Sequence, residues 1–185
     1  MIYVALLRGI NVGGNNIISM KLLKQTFEQA GMTSVTTYIN SGNIIFSSAD
    51  HPQEQLPEIL EQAILKDFGL SIKVLIRSLP EIRTVMEALP DSWSNGDMFR
   101  SDVMFLWDEA DDESVLDKLP LKPGIGTLLY VQGAVLYSVE RENVIKSAMA
   151  KLIGSSVYKL MTVRNVNTTR KIYQLMLAAE AQQNN

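Results

Sequence analysis

The sequence contains no cysteine and a single histidine, His51. A disulfide framework, a thiolate nucleophile and any Cys/His zinc site within one chain are thereby excluded, and no metal or other cofactor is expected. No apolar run approaches the roughly 20 residues that cross a bilayer as a helix, so no membrane partner is expected either. There are 17 basic residues against 20 acidic ones, for a formal net charge of -3. With a pI near 5.2, no general positive field recommends nucleic acid as a partner. The familiar phosphate loops are missing too. No Gly-Lys-Ser/Thr follows the one glycine-rich segment, and the G-x-G-x-x-G spacing is absent. Residues Met1 to Arg8 lack a basic n-region and a cleavage site. They read as a strand rather than a signal, and the expected compartment is cytoplasmic.

What is present is globular. Hydrophobic residues make up 46% and charged residues 20% of 185, enough for one domain or two small ones. Residues 2–7 form a short apolar run of the kind found in buried strands. The loop Gly9 to Asn16, rich in Gly and Asn, suits positive φ. Ser19 can cap a helix with Met20, Leu23, Phe27 and Ala30 on one face, stopped by Gly31. Val35–Ile39 and Ile44–Phe46 read as strands joined by the tight connection Asn40-Ser41-Gly42-Asn43. Leu56, Ile59, Leu60, Ala63, Ile64 and Phe68 mark a second helix ended by Gly69, and Ile72–Ile76 a fourth strand. The order β-α-β-β-α-β is that of the ferredoxin-like plait.

The second half reads as an incomplete copy. A linker helix spans Pro80 to Leu89, and polar turns at 90–92 and 94–96 mark the joint. Then come a strand at 103–107, a short helix at 114–119, a hairpin of 127–131 with 135–139, and a helix at 143–153. A short strand at 157–161 and a helix lined by Ile172, Leu175, Met176 and Ala179 close the chain. The reading is an α+β protein: a plait over 1–78, a linker over 79–100, and a second plait-like unit over 101–185. No residue-level repeat is visible, so the duplication is read from topology alone.

In a plait the first two strands run the same way, so the loop 8–18 and the hairpin 40–43 meet at one sheet edge. The start of the first helix, with its unpaired N–H groups, lies there as well. Arg8 can fork onto a carboxylate or phosphate, and glycines admit a ligand close to the backbone. An anion pocket is therefore expected from Arg8, Asn11, Gly13, Gly14, Asn16, Asn40, Ser41 and Asn43. The same residues also suffice simply to turn the chain. His51 lies in a polar turn and reads as solvated. The acidic run Asp108, Glu109, Asp111, Asp112 and Glu113 is conceivable as a Mg²⁺ site, and reads more simply as a solvated turn before a helix. Arg164, Asn165 and Arg170 stand near the last helix start, where they offer groups for an anion, and read more simply as surface pairing. Met149, Met161 and Met176 read as core filler.

The segments Arg8-Gly9-Ile10-Asn11-Val12-Gly13-Gly14, Met20 and Thr37-Tyr38-Ile39-Asn40-Ser41-Gly42-Asn43 resemble the bacterial family catalogued as domain of unknown function 1697. The likeness continues at Phe68-Gly69-Leu70 and Arg77-Ser78 and returns over Thr162 to Ile172. Val163 and Val166 stand where the family more usually shows threonine and tryptophan. The resemblance implies two plait-like halves and supplies no reaction. Three readings of function are therefore carried forward. The first is a module binding a small anionic metabolite or nucleotide at the strand 1 loop. The second, by fold analogy, is an acylphosphatase-like hydrolase using Arg8 and Asn40. The third, disfavoured by the acidic charge, is an RNA-binding plait that stacks bases on Tyr3 and Phe46. No residue separates enzyme from binding module, and none sets the oligomeric state.

Overall fold

A computed structural model describes residues 1–184. The chain forms two compact units, Met1–Ile82 with Ile172–Asn185, and Arg83–Lys171. In the first, strand β1 is Ile2–Leu7, helix α1 Met20–Gln29, β2 Thr33–Tyr38 and β3 Asn43–Ser47, followed by α2 Leu56–Phe68 and β4 Val74–Ser78. The sheet order is β2-β3-β1-β4 with every pair antiparallel, the topology of a ferredoxin-like plait. Helix α1 begins where Ser19 Oγ accepts the Leu22 N–H at 3.4 Å. Its Leu23 and Phe27, with Leu56, Leu60 and Ile64 of α2, cover one sheet face. From that face Tyr3, Ala5, Leu7, Ile44, Phe46, Val74 and Ile76 complete the core. The Phe46 ring meets Tyr3 and Phe27 at centroid distances of 5.7 Å each. Above this layer Thr26 Oγ1 donates to Asp67 Oδ2 at 2.7 Å, tying the two helices.

Helix α3, Leu79–Ala88, starts directly after β4. The Ser78 N–H and hydroxyl both donate to Glu81 Oε2, at 2.6 and 2.7 Å, so the Glu of an S-x-x-E sequence reaches back to cap the residue before the helix. Gln53 Nε2 donates to the same oxygen at 2.8 Å.

The second unit repeats the plan: β5 Phe99–Leu106, α4 Val115–Lys118, β6 Thr127–Val131, β7 Ala134–Glu140, α5 Met149–Ile153 and β8 Met161–Asn165. Its order β6-β7-β5-β8 is again fully antiparallel. The fourth strand is therefore present and pairs along β5, four residues later than the sequence placed it; 157–160 is a 3-10 turn. The wear lies in the helices. Here α4 has 4 residues and α5 has 5, against 10 and 13 for α1 and α2. The expected helix over 143–153 breaks because the Ser147 carbonyl accepts the distant Lys122 N–H at 3.1 Å. Ala148 then takes a left-handed φ of 63°. Helix α6, Val166–Gln183, closes the chain, with Asn165 Oδ1 accepting the Thr168 N–H at 2.9 Å as its cap.

Candidate functional site

At the edge of the first sheet, the loop after β1 is itself a small hairpin. Val12 bridges Asn15, and the Asn15 N–H donates to Val12 O at 2.9 Å. Gly13 and Gly14 between them have φ of 57° and 78°, positive at both central positions as a type I′ turn demands. Asn11 and Asn16 flank the turn at φ 51° and 49°, joined by Asn11 N–H to Asn16 O at 3.1 Å. The second hairpin occupies Ile39 to Gly42, so Asn43 belongs to β3 rather than to the connection.

The expected meeting of the two loops is made chiefly by Asn11. Its Nδ2 donates to Asn40 O at 2.8 Å and to Ile18 O at 3.1 Å, while Oδ1 accepts the Ile18 N–H at 2.8 Å. The Leu7 N–H donates to Gly42 O at 2.9 Å. Asn16 Nδ2 is turned to Gly9 O at 2.9 Å. Asn43 is fully buried, donating to Tyr38 O and to Ser41 Oγ at 3.0 Å each. Three of the four predicted amides thus build the frame. Asn40 leaves its side chain at the surface, Arg8 and Ser41 are half-buried, and Gly13 and Gly14 are exposed at the tip. No Asp or Glu occurs in either segment, 8–18 or 39–43.

Elsewhere the polar residues singled out in the sequence serve the fold. Asp111 Oδ1 accepts from Tyr130 Oη at 3.0 Å and from the Gly133 N–H at 2.8 Å. Asp112 accepts the Ser114 N–H at 2.9 Å, and hydrogen bonding to Ser114 holds its carboxyl below the usual value. Arg164 is buried with Nη1 on Thr162 Oγ1 at 3.0 Å and Val163 O at 2.9 Å; burial lowers its pKa to about 10. Arg170 donates to Trp93 O at 2.6 Å and Pro90 O at 3.1 Å. Met149, Met161 and Met176 are buried. Tyr3 and Phe46, the two aromatics of the RNA reading, lie in the core beneath α1 and α2, so neither ring is available to a base.

Sequence reasoning missed a cleft of about 630 Å³ in the second unit, bordered by Trp93, Phe99, the turn Gly124 to Thr127, and the end of β7 with Asn143. The Gly124-Ile125-Gly126 spacing before β6 was its one visible trace. A Cβ on Gly126 would lie 2.8 Å from Ser138 O, so that turn packs directly against β7.

Among the described residues no helix is long and apolar enough to cross a membrane. None of the curated proteins compared with the chain matches it. A solved structure of a conserved bacterial protein from Streptococcus pneumoniae is 32% identical, with 95% of this chain and 98% of that one covered at a TM-score of 0.80. The family model described as Protein of unknown function (DUF1697) matches residues 1–137, the stretch that holds both edge loops, and the chain belongs to that family.

Proposed function

We propose that the chain binds a small anionic ligand, a metabolite or nucleotide bearing phosphate or carboxylate, at the edge of the first sheet. The observation that carries this reading is the joining of the two loops beside Arg8, with Asn11 Nδ2 on Asn40 O at 2.8 Å and the Leu7 N–H on Gly42 O at 2.9 Å. Arg8, the Asn40 amide and the peptide N–H groups of Gly13 and Gly14 are the groups assigned to the anion. Asn11, Asn16 and Asn43 are assigned to positioning, since their amides hold the loops. A frame built before the ligand arrives lowers the ordering cost of binding.

The test is a thermal-shift screen of the full chain against phosphorylated metabolites, nucleotides and carboxylates, beside Arg8→Ala and Asn40→Ala. A ligand at a hundredfold excess over Kd stabilises by about 2.7 kcal/mol, about 5–11 °C in a chain of this size. That shift is expected in the wild type and lost in Arg8→Ala. If it persists in both variants, the edge is not the site. Turnover of a generic acyl phosphate, abolished by Arg8→Ala, would instead make the site a hydrolase.

A further inference from the structure

The cleft of the second unit is independent of the edge just described and carries a carboxylate, Glu140, on its border in place of an arginine. Its volume of about 630 Å³ suits a small organic ligand. Glu140 is the one ionised side chain on its border, and Phe99 faces Glu140 across the β5–β7 pair. Thr127 and Ser138 are likewise paired in register, so Phe99, Glu140, Thr127 and Ser138 share one face of the sheet. This is the face opposite the helices: Met104, Leu106, Tyr137 and Val139, which pack with α4 and α5, alternate with it.

The backbone turn that carries Trp93 is held by five hydrogen bonds donated by side chains. Arg170 binds the carbonyl of Trp93 itself and that of Pro90. Asn167 Nδ2 donates to Asn95 O at 2.8 Å. Arg141 donates through Nε to Gly96 O at 2.9 Å and through Nη2 to Asn95 Oδ1 at 3.3 Å. Two guanidinium groups and an amide therefore fix a surface turn of seven residues, 90–96, that carries Trp93. On the facing side, Asn143 Nδ2 donates to Glu140 Oε2 at 3.0 Å and orients the carboxylate.

The geometry points to a binding site for a small organic cation, an amine or guanidine on a short apolar body. The carboxylate of Glu140 meets the charge, the faces of Trp93 and Phe99 accept the cation and its body, and the hydroxyls of Thr127 and Ser138 border the rest. Arg141, the next residue, keeps its charge while bonded to the neutral Gly96 O and Asn95 Oδ1, so the choice of a cation rests on the Glu140 carboxylate together with the two aromatic faces.

Trp93 is itself the reporter. In full-length protein carrying Trp107→Phe, Trp93 is the sole tryptophan, and its emission is followed during titration with agmatine and choline. Glucose and inorganic phosphate serve as neutral and anionic comparisons. A saturable change below about 10 mM with a cation is expected, weakened about tenfold or more by Glu140→Gln. Phe99→Ala is expected to weaken it as well, and raised salt to do the same. Glu140 is exposed, so Glu140→Gln should melt with the parent. The proposal is overturned if no cation gives saturation, if Glu140→Gln binds as the parent does, or if glucose binds as well as the cations. Failure here leaves the edge of the first sheet untouched, since phosphate binding there depends on Arg8.

Discussion

A Cβ on Gly42 would sit 2.8 Å from Leu7 Cβ and from Ile10 Cδ1, at a φ of +84°. Gly14 also has positive φ, +78°, but nothing within 4 Å. The two glycines separate conformational strain from steric contact. Gly14→Ala is expected to cost about 1 kcal/mol, the strain alone. Gly42→Ala adds overpacking against β1 and should cost about 2–4 kcal/mol. Equal urea midpoints for the two variants would sink the packing account. The asparagines teach a related lesson. Asn is favoured at positive φ and is also a good ligand residue, so Asn11 and Asn16 carry the same sequence signal for either use. Only the distances to Asn40 O, Ile18 O and Gly9 O assign their amides to the frame.

Elements built from strong periodicity were legible: the capped α1, the glycine-ended α2 and the β6–β7 hairpin all stand where hydrophobic spacing put them. Elements that depend on a distant partner were not. The 143–153 segment has helical spacing, and it breaks where Lys122 claims the Ser147 carbonyl. The β6–β7 hairpin has its own long-range tie, Tyr130 to Asp111. Burial, then the Asp111 hydrogen bond and the nearby acids, push the Tyr130 phenol up to about 12. Its folded pKa exceeds the ordinary value of about 10, so the native state holds this proton more tightly. The resulting stability is complete below about pH 10 and is lost as pH rises toward about 12. Tyr130→Phe is therefore expected to be less stable than wild type at pH 8, with the gap closing between about pH 10 and 12. A gap constant across that range would refute the assignment.

At the scale of the molecule the two units repeat more than strand order. Each fourth strand carries a buried arginine at its fourth position, Arg77 opposite Val4 and Arg164 opposite Val103. Each has Nη1 on the preceding residue's carbonyl at 2.9 Å. Each strand then leads directly into a helix, α3 or α6. The units are not consecutive blocks, however. The first one includes residues from Ile172 onward, where Ile172 and Met176 are buried and Gln183 donates to Ser47 Oγ. A chain ending at Lys171 loses both apolar side chains and is expected to lose more than about 4 kcal/mol of stability. An unchanged urea midpoint would show that the terminal segment contributes nothing.

By itself the sequence determined the elements whose causes are local: caps, turn glycines, helical stripes and apolar strands. From their order it also determined the first plait, and hence that the loops after β1 and β2 share an edge. The tertiary structure decided what no local pattern encodes. It set which asparagines face inward, it completed the second sheet with β8, and it turned Tyr3 and Phe46 into core. It also gathered Trp93, Phe99 and Glu140, residues up to 47 apart in the chain, around one cleft. Hydrogen-bond partners and concavities arise from segments distant in sequence, and their composition carries no trace of who their neighbours are.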